Sequence, residues 1–365
     1  QSENLTPRTV FLTDRKGTPT PVGTFDLNRP FEIAAAGSAI AWTGSNRLFL
    51  RTSAGNLDPS DPEVVEVEQT LAGNYQPASQ SLRGASRLAI NRAGTKLGTI
   101  DLTGQMDGAA RPTVTDASLT WTDVRGDLLD LWLREAAGPH VQSGRFNAQL
   151  QLHNEGSRTS MKVKATGSDV RLRSGESDAS PPVELSLDHV GSFDSTTRLL
   201  TLEMLTINVS DRGRRFLSGA LDRPALLDRH RSEKETGRVE PDSQPAVFSL
   251  RLAQSDIKDL RPWLALLGRH TLRMAAGRLE GGLVISTYDQ GATVDVVGRV
   301  EGTGILVRSE WSGRTGTGPL QFVTEWKSRL TGMQHLKLDP ATTTISLNGK
   351  QVAALHATGD WRLGD

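Results

Sequence analysis

Apolar and polar residues alternate with a period of two along most of this 365-residue chain, and that alternation confines it to β-sheet. Successive side chains of a strand point to opposite faces, so alternation in sequence becomes segregation in space. "FNAQLQL" puts Phe146, Ala148, Leu150 and Leu152 on one side and Asn147, Gln149 and Gln151 on the other. "MKVKAT" sets Met161, Val163 and Ala165 against Lys162 and Lys164, and "TVDVVGRV" aligns Val294, Val296, Gly298 and Val300. One face is apolar and the other wet, as in an antiparallel sheet exposed on one side. The segments read as strands of roughly five to nine residues. Apolar residues make up 36% of the chain, below the usual share of about 45–50%. A compact globule of this size would carry more, whereas a thin sheet with one apolar face needs less.

Three stretches read as hairpins. "SRLAINRAGTKLGTIDLTG" carries Gly94 and Gly104, and "TTISLNGKQVAALHATG" carries Gly349 and Gly359 at the same spacing. "LTINVSDRGRRFLSG", with Gly213 and Gly219, is a shorter version. Each predicts strand, tight turn, strand. Two segments break the rhythm as helices. "DVRGDLLDLWLREA" carries Leu128, Leu129, Trp132 and Leu133 at helical spacing, and "SDIKDLRPWLALLG" carries Ile257, Leu260, Trp263, Leu264 and Leu267. Ser255 or Asp256 can cap the second, Gly268 can end it, and Pro262 is expected to restrict regular helix to one side of it. "RPALLDRH" at 223–230 is a weaker helical candidate. The stretches 56–63, 174–182 and 229–245 read as loops; the last is charged, of mixed sign and without aromatic residues.

The chain also repeats. "WTDVRGDLLDLWL" aligns with "QSDIKDLRPWLAL", pairing Asp123 with Asp256 and Val124 with Ile257. "GRFNAQLQL" then aligns with "GRLEGGLVI", Gly144 against Gly277, and "ATGSDVRLRS" with "VEGTGILVRS", Gly167 against Gly302. In the first copy the apolar positions run 161, 163, 165 and restart at 170 and 172; in the second they run 296, 298, 300 and restart at 305 and 307. A slip of one residue exchanges the two faces, so a bulge, bend or tight turn is expected after Gly167 and after Gly302.

Composition and motifs exclude several chemistries. The 42 Lys and Arg balance the 42 Asp and Glu, so the chain lacks the excess cation that a general grip on nucleic acid requires. It has no cysteine, hence no disulfide, thiolate metal site or thiol nucleophile. No apolar run reaches the roughly 18–20 residues that span a bilayer. The seven histidines, 140, 153, 189, 230, 270, 335 and 356, form no H-x-x-x-H or H-E-x-x-H pattern. "GRTGTG" at 313–318 is followed by proline instead of Lys-Ser or Lys-Thr, so it reads as a turn. Asp127/Asp130 and Asp256/Asp259 fit helix starts, where negative charge is favoured. The tryptophans, with Trp132 and Trp263 at comparable places in the two helices, read as core or edge packing before contact with lipid head groups. No catalytic residue, metal site or cofactor is expected.

The run from Asp256, Ile257, Leu260 and Leu264 through Gly277, Leu279, Gly281, Leu283 and Ile285 to Val300 and Gly302 resembles the AsmA-like and TamB-like repeat proteins of Gram-negative envelopes. The earlier copy carries the resemblance through Asp123, Val124, Leu128, Gly144, Phe146, Leu150 and Leu152. It is best over 247–362, fair over 117–222 and faint before residue 80. It implies a mainly β fold: an elongated, twisted antiparallel sheet curled into a U-shaped groove, apolar inside and polar outside, with short helices at its edge. Such proteins are similar to the eukaryotic bridge-like lipid transfer proteins, whose groove carries phospholipid tails between membranes.

Residues alone leave open what covers the apolar face: a curled sheet can cover itself, or lipid can. The first expectation is a non-enzymatic periplasmic protein of a Gram-negative envelope. It holds or conducts phospholipid acyl chains between the inner and outer membranes. The alternative is a structural or interaction module of the envelope, with a self-packed core and envelope proteins as partners. A glycan-binding β-protein ranks last, because aromatic residues are only 5%. The expected lining is Phe146, Leu150, Leu152, Met161 and Val163 in the first copy, and Leu279, Leu283, Ile285, Val294, Val296 and Val300 in the second. The expected organisation is a β segment with a partial repeat at 1–115, a groove repeat with a helix at 116–228, the charged loop at 229–245 and a second groove repeat with a helix at 246–365. Roughly 20 strands at about 4.8 Å give a sheet about 100 Å long. A complete envelope bridge needs more, so the chain is expected to be a segment of a longer polypeptide, with membrane contact through parts outside it.

Overall fold

The computed structural model describes residues 8–13, 19–26, 31–36, 39–51, 64–108, 113–126, 128, 139–174, 179–228, 245–264, 274–288, 291–307, 319–331 and 335–362. The fold is mainly β and every strand pairing is antiparallel. Contacts divide the chain into two units, Gln1–Trp132 with Arg145–Gly156, and Leu133–Gly144 with Ser157–Asp365. The loop 56–63, residues 175–178 of the loop at 174–182 and nearly all of 229–245 lie outside the described residues, as does "GRTGTG".

The first unit holds β1 (Arg8–Thr13), β2 (Pro19–Asp26), β3 (Phe31–Ala36), β4 (Ala39–Arg51), β5 (Val64–Gln76), β6 (Ser81–Arg92), β7 (Thr95–Asp107), β8 (Thr113–Arg125) and most of β9 (Pro139–Glu155). From β4 to β9 each strand pairs with the next. One edge of β4 is shared: its first half takes β3 and its second half takes β2. A buried cluster of Val65, Ile90, Leu97, Val124 and Leu128 anchors the unit, with Trp121 and Phe146 packed against it.

The second unit holds β10 (Arg158–Ser174), β11 (Val183–Asp194), β12 (Leu199–Asp211), β13 (Arg214–Leu221), β14 (Ala225–Asp228), β15 (Ala246–Asp256), the helix α1 (Ile257–Leu264), β16 (Met274–Tyr288), β17 (Thr293–Val307), β18 (Leu320–Thr331), β19 (His335–Leu347) and β20 (Lys350–Arg362). Here β12 shares an edge, taking β14 at 199–202 and β13 at 206–211. The weak helical candidate at 223–230 is therefore overturned: Ala225–Asp228 is a strand. Its apolar run is too short to nucleate a helix, and the backbone groups of 199–202 offer it ladder partners instead. The other predicted helix of this unit is present as α1 over Ile257–Leu264. It includes Pro262 in its last turn, so the proline does not confine helix to one side. Gly268 lies outside the described residues, as do 127 and 129–136 of the helix predicted from "DVRGDLLDLWLREA"; its first three residues, 123–125, are not helix but the end of β8.

All three predicted hairpins form, as β6–β7, β12–β13 and β19–β20. Their two-residue turns are Ala93–Gly94, Arg212–Gly213 and Asn348–Gly349, and all six residues have positive φ. That conformation gives the turn the same twist as its strands. A methyl group on Gly94 or Gly349 would meet nothing within 4 Å, so only backbone strain opposes it. Gly94→Ala and Gly349→Ala are each expected to cost about 1 kcal/mol, read as a lower urea midpoint with an unchanged slope.

The phase slips are where the sequence puts them. The ladder of β10 against β11 shifts between Gly167 and Val170, and that of β17 against β18 between Gly302 and Ile305. Asp169 and Gly304, at matching places in the two copies, both have positive φ. The slip does not end the strand. β10 runs 17 residues and β17 runs 15, longer than the expected segments, because two alternating runs are joined through one bulge. The residues after the slip, Val170 and Ile305, are both almost wholly buried. So are Val124 and Ile257, at 1% exposure each.

One residue defies the alternation. Asp295 lies between Val294 and Val296, on the polar face, yet is 7% exposed. Arg329, directly opposite it on β18, donates Nε to Oδ1 at 2.6 Å and Nη2 to Oδ2 at 2.8 Å. These hydrogen bonds hold the Asp295 carboxyl below its ordinary range, against the opposing effect of burial. A depressed folded-state pKa stabilises the protein above the unfolded value of about 3.9, and that stability is lost as pH falls through the lower folded value. Asp295→Asn is expected to cost roughly 2 kcal/mol at neutral pH. In urea unfolding at a series of pH values, the gap from the parent protein should close below about pH 3.9.

Candidate functional site

Directly paired residues on neighbouring antiparallel strands project to the same face. The registers therefore fix which side chains share a surface. In the second unit Ile285 is opposite Val296, Leu283 opposite Gly298, Gly281 opposite Val300 and Thr287 opposite Val294. Leu279 is opposite Gly302. All six expected residues of the second copy thus lie on one face of β16 and β17. The same face continues onto β15 through Phe248, Leu250 and Leu252, and onto β18 through Phe322, Thr324, Trp326, Ser328 and Leu330. From β15 to β18 these paired positions carry no charged side chain. Phe248, Leu250 and Leu252 extend the face beyond the expected lining, and "VFSLRL" alternates as cleanly as the strands that carry it.

Most of this face is half-buried: Leu283, Ile285, Val294, Val296, Val300, Phe322 and Trp326 all keep part of their surface. At one end it closes over a large apolar cluster. There α1 brings Ile257 and Leu260 onto Leu279 and Ile305, with Leu252, Val300, Leu320 and Phe322 packed around them. Leu279 is therefore core, at 4% exposure, while its strand-mate Leu283 is half-buried.

Also in the second unit, Met161 and Val163 of β10 share a face with Gly191 and His189 of β11. In the first unit Leu150 is opposite Leu119, Leu152 opposite Ala117 and Phe146 opposite Val124. Leu119 in turn faces Leu102, which is exposed. Ile33, Ile40 and Val114 are large apolar side chains left exposed in the same unit.

The opposite faces are ion-paired. Arg47 meets Glu66 and Glu68, and Arg87 meets Asp101. Arg145 meets Asp123, and Arg299 bonds Glu325 and Glu301. His153 Nδ1 lies 2.7 Å from Asp116 and His335 Nε2 lies 2.5 Å from Asp360, cross-strand contacts on exposed surface. Among the described residues no group of three or more His, Asp or Glu is placed to hold a metal ion, and no helix is long and apolar enough to cross a membrane.

A second feature is polar. A cleft of about 210 Å³ beside α1 is lined by Asp211, Asp256, Asp259, Arg214, Arg278, Phe216 and Leu260, among others. Burial raises the pKa of Asp259, with Asp256 and Asp211 adding to the shift and Lys258 opposing it. Arg278 approaches Asp256 at 3.5 Å. The charge is mixed, and it points to no reacting group. No family model, curated protein or solved structure matches the chain.

Proposed function

We propose that the chain is a non-enzymatic segment of a periplasmic, Gram-negative envelope protein of the AsmA-like and TamB-like type. On this reading it holds or conducts phospholipid acyl chains along the apolar face of its sheet, curled into a U-shaped groove. The observation that carries the reading is the face of β15–β18, which is apolar, uncharged at every paired position and half-buried. A surface without charge and with few hydrogen-bonding groups suits hydrocarbon, which offers neither. The ion-paired opposite face suits water. The resemblance of 247–362 to envelope repeat proteins supports the same reading independently of geometry.

The test is to purify the chain from bacterial cells without detergent, extract it with organic solvent and identify lipids by mass spectrometry. Phospholipid is expected in stoichiometric amount. It should exchange with a phosphatidylethanolamine bearing a nitrobenzoxadiazole-labelled acyl chain. A protein that carries no phospholipid and takes up none of the labelled lipid is instead the structural module, its apolar face closed by protein as at α1.

A further inference from the structure

The face of β17 and β18 holds two cross-strand pairs with one geometry. Gly298 is opposite Trp326 and Gly302 opposite Phe322. A methyl group built on Gly298 would overlap Cζ2, Cε2 and Cη2 of Trp326, and one on Gly302 would overlap the Phe322 ring. Each ring therefore lies over its glycine, and both glycines are buried beneath them. Neither glycine has positive φ, so the backbone does not demand glycine at either place. Glycine within a strand costs stability and offers nothing to pack. The first unit repeats the arrangement with Gly73 under Trp42, directly opposite each other on β5 and β4.

Side chains on a packed sheet stand roughly perpendicular to it and fill a layer about 10 Å deep against the next sheet. A ring lying over glycine rises far less. We infer that the glycine–aromatic pairs Gly298–Trp326 and Gly302–Phe322 set the depth of the apolar track, keeping it open to an acyl chain while leaving its floor aromatic and uncharged. The inference rests on the acyl-chain reading above and assigns these four residues as determinants of what fits. Any side chain on the glycine tips the ring off the sheet and into the space the chain would occupy. The nearest atoms that must shift belong to half-buried side chains and not to backbone.

The experiment uses the full chain and the nitrobenzoxadiazole-labelled phosphatidylethanolamine, with thermal unfolding measured on every variant. Gly298→Ala is expected to keep the parent melting temperature within a few degrees and to bind the lipid at least about tenfold more weakly, as overpacking a fitted site does. Trp326→Leu removes the flat ring, so it should also weaken binding, and it supplies the background for the double variant. In Gly298→Ala/Trp326→Leu the methyl group should cost no further affinity, because what it displaces in the parent is the ring. A purely structural pairing would instead lower the melting temperature in all three and leave affinity alone. Gly302→Ala and Phe322→Leu repeat the test at the second pair and decide it if Gly298→Ala does not fold. Undiminished binding by Gly298→Ala and Gly302→Ala in a parent that binds lipid would overturn this inference and spare the reading beneath it. A parent that binds no lipid would overturn both.

Discussion

Ile257→Asp is expected to unfold the second unit. Ile257 is 1% exposed and packs with Leu260, Leu279 and Ile305 where α1 meets the sheet. The surrounding cluster is apolar, so the carboxylate would be buried among hydrocarbon. Lost apolar burial together with an unpaired charge costs about 5 kcal/mol or more, as large as the whole stability of many domains. Ile257→Ala should fall short of that, at about 2–5 kcal/mol, because it leaves a cavity and no charge. Circular dichroism followed through urea distinguishes the two. An aspartate variant with the parent's midpoint would mean that α1 does not seal this end of the sheet.

The same substitution four residues beyond Leu279 should behave differently. Leu283 lies on the uncharged face but is only half-buried, so an aspartate there can turn its carboxylate to water. Leu283→Asp is expected to stay folded and, on the proposed acyl-chain reading, to lose bound acyl chains, since a charge on the track must be desolvated before hydrocarbon can lie across it. Leu150→Asp is expected to do the same in the first unit, where Leu150 is likewise half-buried opposite Leu119. Thermal unfolding is measured beside retention of the labelled lipid. Failure of both variants to fold, in a protein whose parent retains no lipid, would identify these positions as closed core. The contrast between Ile257 and Leu283 separates a seal from a surface within one set of strands.

Much of this architecture is legible in the sequence because hairpin turns and alternation are local. A two-residue turn such as Asn348–Gly349 fixes the register of both its strands at once, so β19 and β20 follow from a dozen residues of pattern. The slips after Gly167 and Gly302 are legible for the same reason: parity along one strand needs no knowledge of its neighbour. What stays hidden depends on registers that no short turn sets. The connection from β17 to β18 spans 308–319, and nothing in it states that Trp326 will face Gly298. The glycine–aromatic pairs thus appear only when the strands are laid side by side. Asp295 is hidden likewise, since its burial depends on Arg329 from that same strand. The strand at 225–228 was misread as helix because four residues carry too little period, and its pairing partner at 199–202 lies across an intervening hairpin.

From β16 to β20 each strand pairs only with its neighbours in sequence. An arrangement of that kind has no privileged length. Inserting a hairpin at a turn would add about 10 Å of sheet, two strand spacings, and leave every other register unchanged. Stability then accrues neighbour by neighbour, as in solenoid proteins, and the apolar surface on offer grows in step with it. Duplication of short gene segments could therefore lengthen such a protein in small increments, without a new fold being found at any stage.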